Sequence, residues 1–441
     1  MVEDRFKVDE VAVVGGGLAG VEAALQLARR GIRVRLFEMK PVKYTEAHSS
    51  PDLGELVCSN SLKAMGLGQA SGLLQEEMSR LGSAVIDVAL TNRVAAGQAL
   101  AVNREDFSKA LTRLIEEEPL INLVREEGTS LPKDRYTIVA TGPLTSEGMA
   151  EAISKVTGDE DLYFYDAMAP IIEGDSIDLN IAFAASRYEK GGPDYLNCPM
   201  TREEFERFFT ALTNSETVPT RNFEKERVFQ GCQPIETLAA KGEKTLLFGP
   251  MKPVGFTDPR TGKRPHALLQ LRREDEAGQR WNMVGFQTKL TYPEQKRVFR
   301  LIPGLEEARF YRLGSLHRNT YVDGPRVLDG YLRARRAPWV QFAGQITGVE
   351  GYLESAAMGI WAGLNLALRL SGKTPDLPPE ESGIGSLVRH VYSAPGKRYE
   401  PMNMNFGILP PLGIRMKDKK EAKRLRAERA LKALDGWMAT L

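Results

Sequence analysis

Val11-Ala12-Val13-Val14-Gly15-Gly16-Gly17-Leu18-Ala19-Gly20 decides the fold, together with the helical pattern Val21-Glu22-Ala23-Ala24-Leu25-Gln26-Leu27-Ala28 that follows it at once. The apolar run predicts a buried parallel strand. The helix stops at Gly31, and a second strand over 33–37 ends on Glu38. Gly15 permits a tight turn, Gly17 lets the backbone approach a pyrophosphate, and Gly20 lets helix and strand pack closely. With Gly16, Leu18 and Ala19 they form a helix N-terminus whose free N–H groups favour phosphate. Glu38 is placed to accept hydrogen bonds from a ribose, and it would repel a 2′-phosphate. A lone G-x-G-x-x-G is weak evidence. Here the strand, the helix and the acidic residue all fall where a dinucleotide site needs them.

Two later segments extend this reading. Thr137-Ile138-Val139-Ala140-Thr141-Gly142 is a strand running into a Thr-Gly turn. Val340-Gln341-Phe342-Ala343-Gly344-Gln345 repeats the pattern, followed by Gly348, Gly351 and a helical stretch over 353–370. The trio resembles the two-dinucleotide-binding-domain flavoproteins. That resemblance implies FAD, with the turn at Gly142 approaching the cofactor. It also implies that the late helix start, with Gly344, Gly351, Tyr352 and Glu354, lies near the flavin and ribityl chain. The predicted fold class is α/β. Residues 1–145 and 330–441 form a Rossmann-type FAD-binding domain, and 146–329 form a central mixed α/β insertion domain. No second G-x-G-x-x-G follows a strand, so NADH or NADPH would have to visit the flavin transiently.

Composition narrows the class. Of 441 residues, 42% are hydrophobic and 27% charged, which predicts a packed core rather than disorder. The net charge is only +1, so any nucleic-acid contact must come from a local patch. No targeting peptide or membrane-length apolar run is evident. Three cysteines, Cys58, Cys198 and Cys232, show neither Cys-x-x-Cys nor His-spaced grouping. That predicts no disulfide framework, no structural metal and a reducing, cytoplasmic setting.

Local chemistry does not rank the thiols. Pro234 and Glu236 place Cys232 just before a predicted helix, where the dipole favours a thiolate. Cys198 also precedes one, with a Thr201–Glu204 capping box. Cys58 sits where an apolar run gives way to Ser59-Asn60-Ser61. A single cysteine is more often a small buried hydrophobe than a nucleophile.

Longer motifs then identify a family. Phe37-Glu38-Met39-Lys40-Pro41, Val57-Cys58-Ser59-Asn60-Ser61-Leu62, Asp194-Tyr195-Leu196-Asn197-Cys198-Pro199-Met200 and Gly231-Cys232-Gln233-Pro234-Ile235-Glu236 carry the resemblance. So do Leu247-Phe248-Gly249-Pro250-Met251-Lys252-Pro253-Val254-Gly255, Val284-Gly285-Phe286-Gln287-Thr288, His317-Arg318-Asn319-Thr320-Tyr321 and Gly348-Val349-Glu350-Gly351-Tyr352-Leu353-Glu354-Ser355. Over nearly the whole chain the sequence resembles TrmFO, the folate- and FAD-dependent tRNA uracil-C5 methyltransferase family. The resemblance implies methylation of the T-loop uridine, U54, with carbon from 5,10-methylenetetrahydrofolate and reducing equivalents from reduced FAD. It matches Cys58 and Cys232 to the family's reactive cysteines. It gives Cys198 no chemical role, and adds Lys40 to the cofactor-binding candidates. Gly16 stands where a small Ala is common in the family, a change that should not harm the turn. The chemistry fits such residues: a soft thiolate adding to uracil C6 makes C5 nucleophilic, and a base must then remove the C5 proton.

The expected partners are tRNA, folate and nicotinamide, with no membrane and no obligate protein partner evident. The segment Arg415–Lys432 is basic, and Ala427, Ala430, Leu431, Leu434, Trp437 and Met438 recur at helical spacing. One face would dock on the protein and the other follow a phosphate backbone. The loop over 258–265 is either a second RNA surface or an exposed turn. Trp281, His317 and Arg318 are folate-pocket candidates, Trp281 equally a core residue. The rival readings are the same chemistry on ribosomal RNA, a GidA-like wobble-uridine enzyme of longer chain, and a flavin-containing RNA-binding factor.

Overall fold

The computed structural model describes residues 10–158, 162–189, 192–218, 233–394, 399–413 and 416–441. Val11–Val14, four fully buried residues, forms the central strand. It pairs in parallel with Val34–Phe37 on one side and Thr137–Val139 on the other. Ile121–Val124 extends the first side and Ala337–Phe342 the second, both parallel, and Arg333–Ala334 closes the far edge antiparallel. The order of the six strands therefore brings the chain back to its first sheet after a separation of about two hundred residues. The order reverses direction between Val11–Val14 and Thr137–Val139, and a ligand crevice opens at the carboxyl ends of strands at such a switch point.

Leu18–Ala28 packs on this sheet and against Tyr352–Leu370, a nineteen-residue helix. The seam between them is built from small residues. A Cβ on Gly359 would stand 2.2 Å from the Ala19 carbonyl oxygen, and one on Gly363 would stand 2.6 Å from that of Ala23. Only glycine allows this approach, and it holds the starts of both helices beside the same crevice. Two buried carboxylates tie further helices in. Glu22 accepts from the Val85 amide at 2.9 Å and from the Ser83 hydroxyl, at the start of Ala84–Thr91. Glu77 accepts from the Gly383 and Ile384 amides at 2.8 and 2.9 Å, at the start of Gly383–Ser393.

A second six-stranded sheet, wholly antiparallel, lies within the middle of the chain. Its order is Phe183–Ala184, Tyr195–Met200, Ala267–Arg273, Arg280–Met283, Ile171–Glu173 and Phe310–Arg312. It has its own core, in which Phe286 meets Phe208 and Phe299 with ring centroids 6.0 and 5.8 Å apart. Aromatic pairs of this kind add about 0.5–1.5 kcal/mol each beyond area burial. A small three-stranded sheet, Ser61–Ala64, Ala99–Val102 and Arg93–Val94, was not anticipated from sequence. Among the described residues no helix is long and apolar enough to cross a membrane.

Candidate active site

The crevice at the switch point holds about 1090 Å³ not filled by atoms, part of it open solvent. Gly15, Gly16, Gly17, Leu18, Ala19, Glu38, Lys40, Gly142, Gly344 and Tyr352 all line it. The glycines divide the work as their positions require. Gly15 has φ +106°, and a Cβ there would press to 2.5 Å from the Ala140 carbonyl oxygen. A Cβ on Gly20 would lie 1.8 Å from the Gly15 carbonyl oxygen, so helix and turn touch backbone to backbone. Gly17 is the opposite case, with nothing within 4 Å of its Cβ position. The helix beginning at Leu18 thus presents its free amides to open space, as an approaching pyrophosphate requires.

Glu38 is 7% exposed, and each carboxylate oxygen accepts one backbone N–H, from Gly16 and from Lys40, both at 2.9 Å. This fixes the carboxylate on the crevice wall with lone pairs to spare for a ribose. It also bears on Gly16. A Cβ there would stand 2.5 Å from Leu53 Cδ2 and 2.8 Å from Glu38 Oε2, so alanine needs both side chains to shift. Glycine at this position leaves the turn intact, as expected, since its φ is not in the left-handed region, and the packing around it leaves no room for a Cβ. Lys40 lines the crevice, yet its ammonium donates to the Asp52 carbonyl at 2.7 Å and to Glu55 at 3.2 Å. Its place is in the wall, holding the loop of residues 52–55.

Gly351 and Glu354 are not part of the lining. Glu354 is fully buried and accepts from Lys63 Nζ at 2.5 Å and from the Met404 amide at 2.7 Å. Gly351 has φ +118°, and a Cβ there would fall 2.3 Å from Glu354 Oε2. The pair shapes the turn that delivers Tyr352 to the crevice.

Tyr352 leads to Cys58. Its Oη accepts the amides of Cys58 at 2.9 Å and Ser59 at 3.2 Å, and lies 3.1 Å from Cys58 Sγ. With both lone pairs taken, the phenol proton is left to be donated to the sulfur. Burial, and then the adjacent thiol, pushes the Tyr352 phenol well above its ordinary value, so it stays a proton donor. Cys58 is half-buried and follows Val57, which lines the crevice. The antiparallel sheet reaches the same turn. Arg272 donates to Asn60 Oδ1 at 3.0 Å and to Ser59 Oγ at 2.8 Å, and Asn60 donates to the Arg273 carbonyl at 3.0 Å.

The other cysteines separate sharply. Cys198 lies inside the strand Tyr195–Met200, paired with Leu269, and is 0% exposed. Burial pushes its thiol up to about 12, so it is an inert core residue. The capping box forms at Thr201 and Glu204, but the cysteine before it points into the core. Cys232 lies outside the described residues. The helix after it, Ile235–Ala239, has only five residues with Pro234 as its N-cap, so the dipole invoked for Cys232 is small.

Trp281 is buried in the antiparallel sheet, with Nε1 donating to the Gly278 carbonyl at 2.8 Å and the Arg273 guanidinium over its ring. His317 and Arg318 fall in the strand Leu316–Tyr321; their side chains lie outside the description. The 258–265 loop is a turn closed by an Asp258–Lys263 bridge, with Arg260, Lys263 and Arg264 exposed. The C-terminal helix spans Lys419–Met438 and buries Ala427, Ala430, Leu431, Leu434 and Trp437. Several of its cations are not available to a phosphate backbone. Arg424 pairs with Glu421 and Glu428, Arg426 donates to the Phe406 carbonyl at 2.7 Å, and Arg429 donates to that of Pro411 at 2.8 Å. Lys417, Lys419, Lys420, Lys423 and Lys432 remain exposed; Arg415 lies outside the described residues. Among the described residues no group of three His, Cys, Asp or Glu could hold a metal ion.

Sheet order, glycine turn and crevice define a Rossmann-type dinucleotide-binding protein, and residues 10–374 match the family model of glucose inhibited division protein A. The GidA structure from Aquifex aeolicus superposes with a TM-score of 0.71 at 19% identity, covering 98% of this chain and 74% of that one. Similarity in sequence is closer to another branch. The methylenetetrahydrofolate–tRNA-(uracil-5-)-methyltransferase TrmFO of Geobacter sulfurreducens is 55% identical over 98% of this chain and 99% of its own. That of Desulfitobacterium hafniense is 53% identical over 97% and 98%. The chain belongs to the TrmFO family.

Proposed function

We infer that this protein is a methylenetetrahydrofolate–tRNA-(uracil-5-)-methyltransferase acting on U54 of the T-loop. The observation that carries the reading is a half-buried thiol, held by a crevice-lining tyrosine, at the rim of a dinucleotide site. Near-full-length relatives bearing that enzyme's name supply the substrate class. Residues 1–145 and 330–441 act as the FAD domain and 146–329 as the insertion domain. FAD fits the crevice: residues Gly15 to Ala19 take the pyrophosphate, Gly20 lets the helix pack against their turn, Glu38 takes the ribose, and Gly344 and Tyr352 border the flavin. When bound and reduced by NADH or NADPH, it supplies the hydride that completes the methyl group.

The chain's own residues do the remaining work. The Cys232 thiolate adds to uracil C6, sending the ring electrons toward O4 and making C5 nucleophilic. C5 bonds to the methylene carbon of methylenetetrahydrofolate, and the carbon–nitrogen bond to the folate breaks, releasing tetrahydrofolate, once the C5 proton is removed. Cys58, poised by Tyr352, acts in that transfer or removes the C5 proton, after which the C6–S bond breaks. The exposed lysines of the C-terminal helix meet tRNA phosphates. A buried Cys198 thiol that forms no disulfide suits a reducing cytoplasm. A 5-fluorouridine-bearing tRNA tests the thiol roles, because fluorine at C5 cannot leave as a proton. Cys232→Ala should abolish the covalent complex while Cys58→Ala retains it. The reverse result exchanges the roles, and a complex in the double variant removes the thiol mechanism.

A further inference from the structure

Around the turn that carries Cys58 lies a cluster of charges drawn from three distant segments. Arg104, on the helix Arg104–Glu116, donates through Nη1 to the carbonyls of Leu56 and Val57, the two residues before Cys58. Its Nε donates to Glu274, which is 2% exposed and comes from the antiparallel sheet region. Arg312, at the end of Phe310–Arg312, faces the same group. Arg104 Nη2, Arg312 Nε and Arg312 Nη2 are buried and have no hydrogen-bond partner, and so is Glu274 Oε1. Burial first, and then Arg104, lowers the Arg312 guanidinium, while Glu274, Tyr352 and Cys58 oppose the shift.

The cluster is short of negative charge. Arg104 and Arg312 bring two positive charges against the single carboxylate of Glu274, and Arg272, on Ser59 and Asn60, adds a third. Two like charges held close and partly unpaired are costly unless an anion shares the site. The unpartnered nitrogens have no solvent exposure, so they cannot touch a ligand in the crevice. Among the described residues, the group beside them other than Glu274 that can become anionic is the thiol of Cys58, while the Tyr352 phenol stays protonated. We propose that Arg104 and Arg312 are positioning residues for Cys58: Arg104 fixes the turn that carries it, and both supply positive charge that favours its thiolate. This extends the reading of Cys58 as a reactive residue.

The test is iodoacetamide alkylation of the flavin-loaded, full-length protein across pH, with the Cys58 peptide quantified by mass spectrometry. Alkylation reports on the thiol whether or not methyl transfer occurs, so it fails independently of the proposed reaction. Arg312→Gln should raise the midpoint of the Cys58 profile by about one unit, slowing alkylation about tenfold at neutral pH. Arg312→Lys should restore most of it. Glu274→Gln removes the opposing charge and should move the midpoint the other way, a reversal that general loosening cannot produce. If Arg312→Gln does not fold, the lysine and Glu274→Gln variants decide alone. An unchanged Cys58 profile in folded variants, or shifts of the same sign for Arg312→Gln and Glu274→Gln, would overturn the proposal.

Discussion

Replacing Tyr352 by phenylalanine probes the link between the crevice and its thiol. The ring and its packing are kept, and only the hydroxyl is lost. That oxygen is the acceptor for the Cys58 and Ser59 amides, at 2.9 and 3.2 Å. A buried donor stripped of its acceptor costs about 1–3 kcal/mol. Cys58 is half-buried, so water can reach part of the turn and recover some of that loss. The sum expected is about 2–4 kcal/mol. Denaturant unfolding of Tyr352→Phe beside the parent measures it. The phenol proton also stabilises the sulfur, so Cys58 alkylation at neutral pH should slow as well. A variant within about 0.5 kcal/mol of the parent, with unchanged thiol reactivity, would mean that the hydroxyl supports neither the turn nor the thiol.

Three further outcomes follow from the same geometry. Gly17→Val should leave the flavin-free fold as stable as the parent, because open space surrounds its Cβ position, yet lose the yellow cofactor on purification. Gly359→Ala gains about 1 kcal/mol of helix propensity but drives a methyl to 2.2 Å from the Ala19 carbonyl. Overpacking of about 1–3 kcal/mol should dominate, seen as a lower melting temperature and weaker flavin retention. Glu77, fully buried, is raised from 4.5 to about 7 by burial, against the amides of Gly383 and Ile384. A carboxyl whose folded value is raised contributes stability that is present below about pH 4.5 and lost as pH climbs through about 7. The change is roughly 3 kcal/mol over that window, and Glu77→Gln should flatten this part of the stability–pH curve.

The nucleotide half of the site was legible because each of its parts is local. Strand, turn and helix occupy consecutive residues from Val11 to Ala28, and the glycine roles follow from backbone geometry alone. The chain's late return to the first sheet was also readable, since Val340–Gln345 repeats the strand-and-glycine pattern of Thr137–Gly142. The support of Cys58 was not. Arg104, Arg272, Glu274 and Arg312 come from separated segments, and no spacing signals that tertiary packing gathers them at one turn. The surroundings of Glu354 were hidden for a related reason. It stands in a glycine-rich helix start, and its partners Lys63 and Met404 come from elsewhere in the chain. Cys198 and Cys232 read alike because helix caps are local, whereas burial, which silences Cys198, is set by its strand's neighbours.

The decisive measurement follows the labelled methylene carbon of methylenetetrahydrofolate into a tRNA transcript lacking T-loop modification, with NADH or NADPH present. Label should appear in 5-methyluridine at position 54, and none with Cys232→Ala. Label absent from tRNA, with a flavin that still reduces and reoxidises, would contradict the assignment of tRNA as substrate while leaving the dinucleotide site standing.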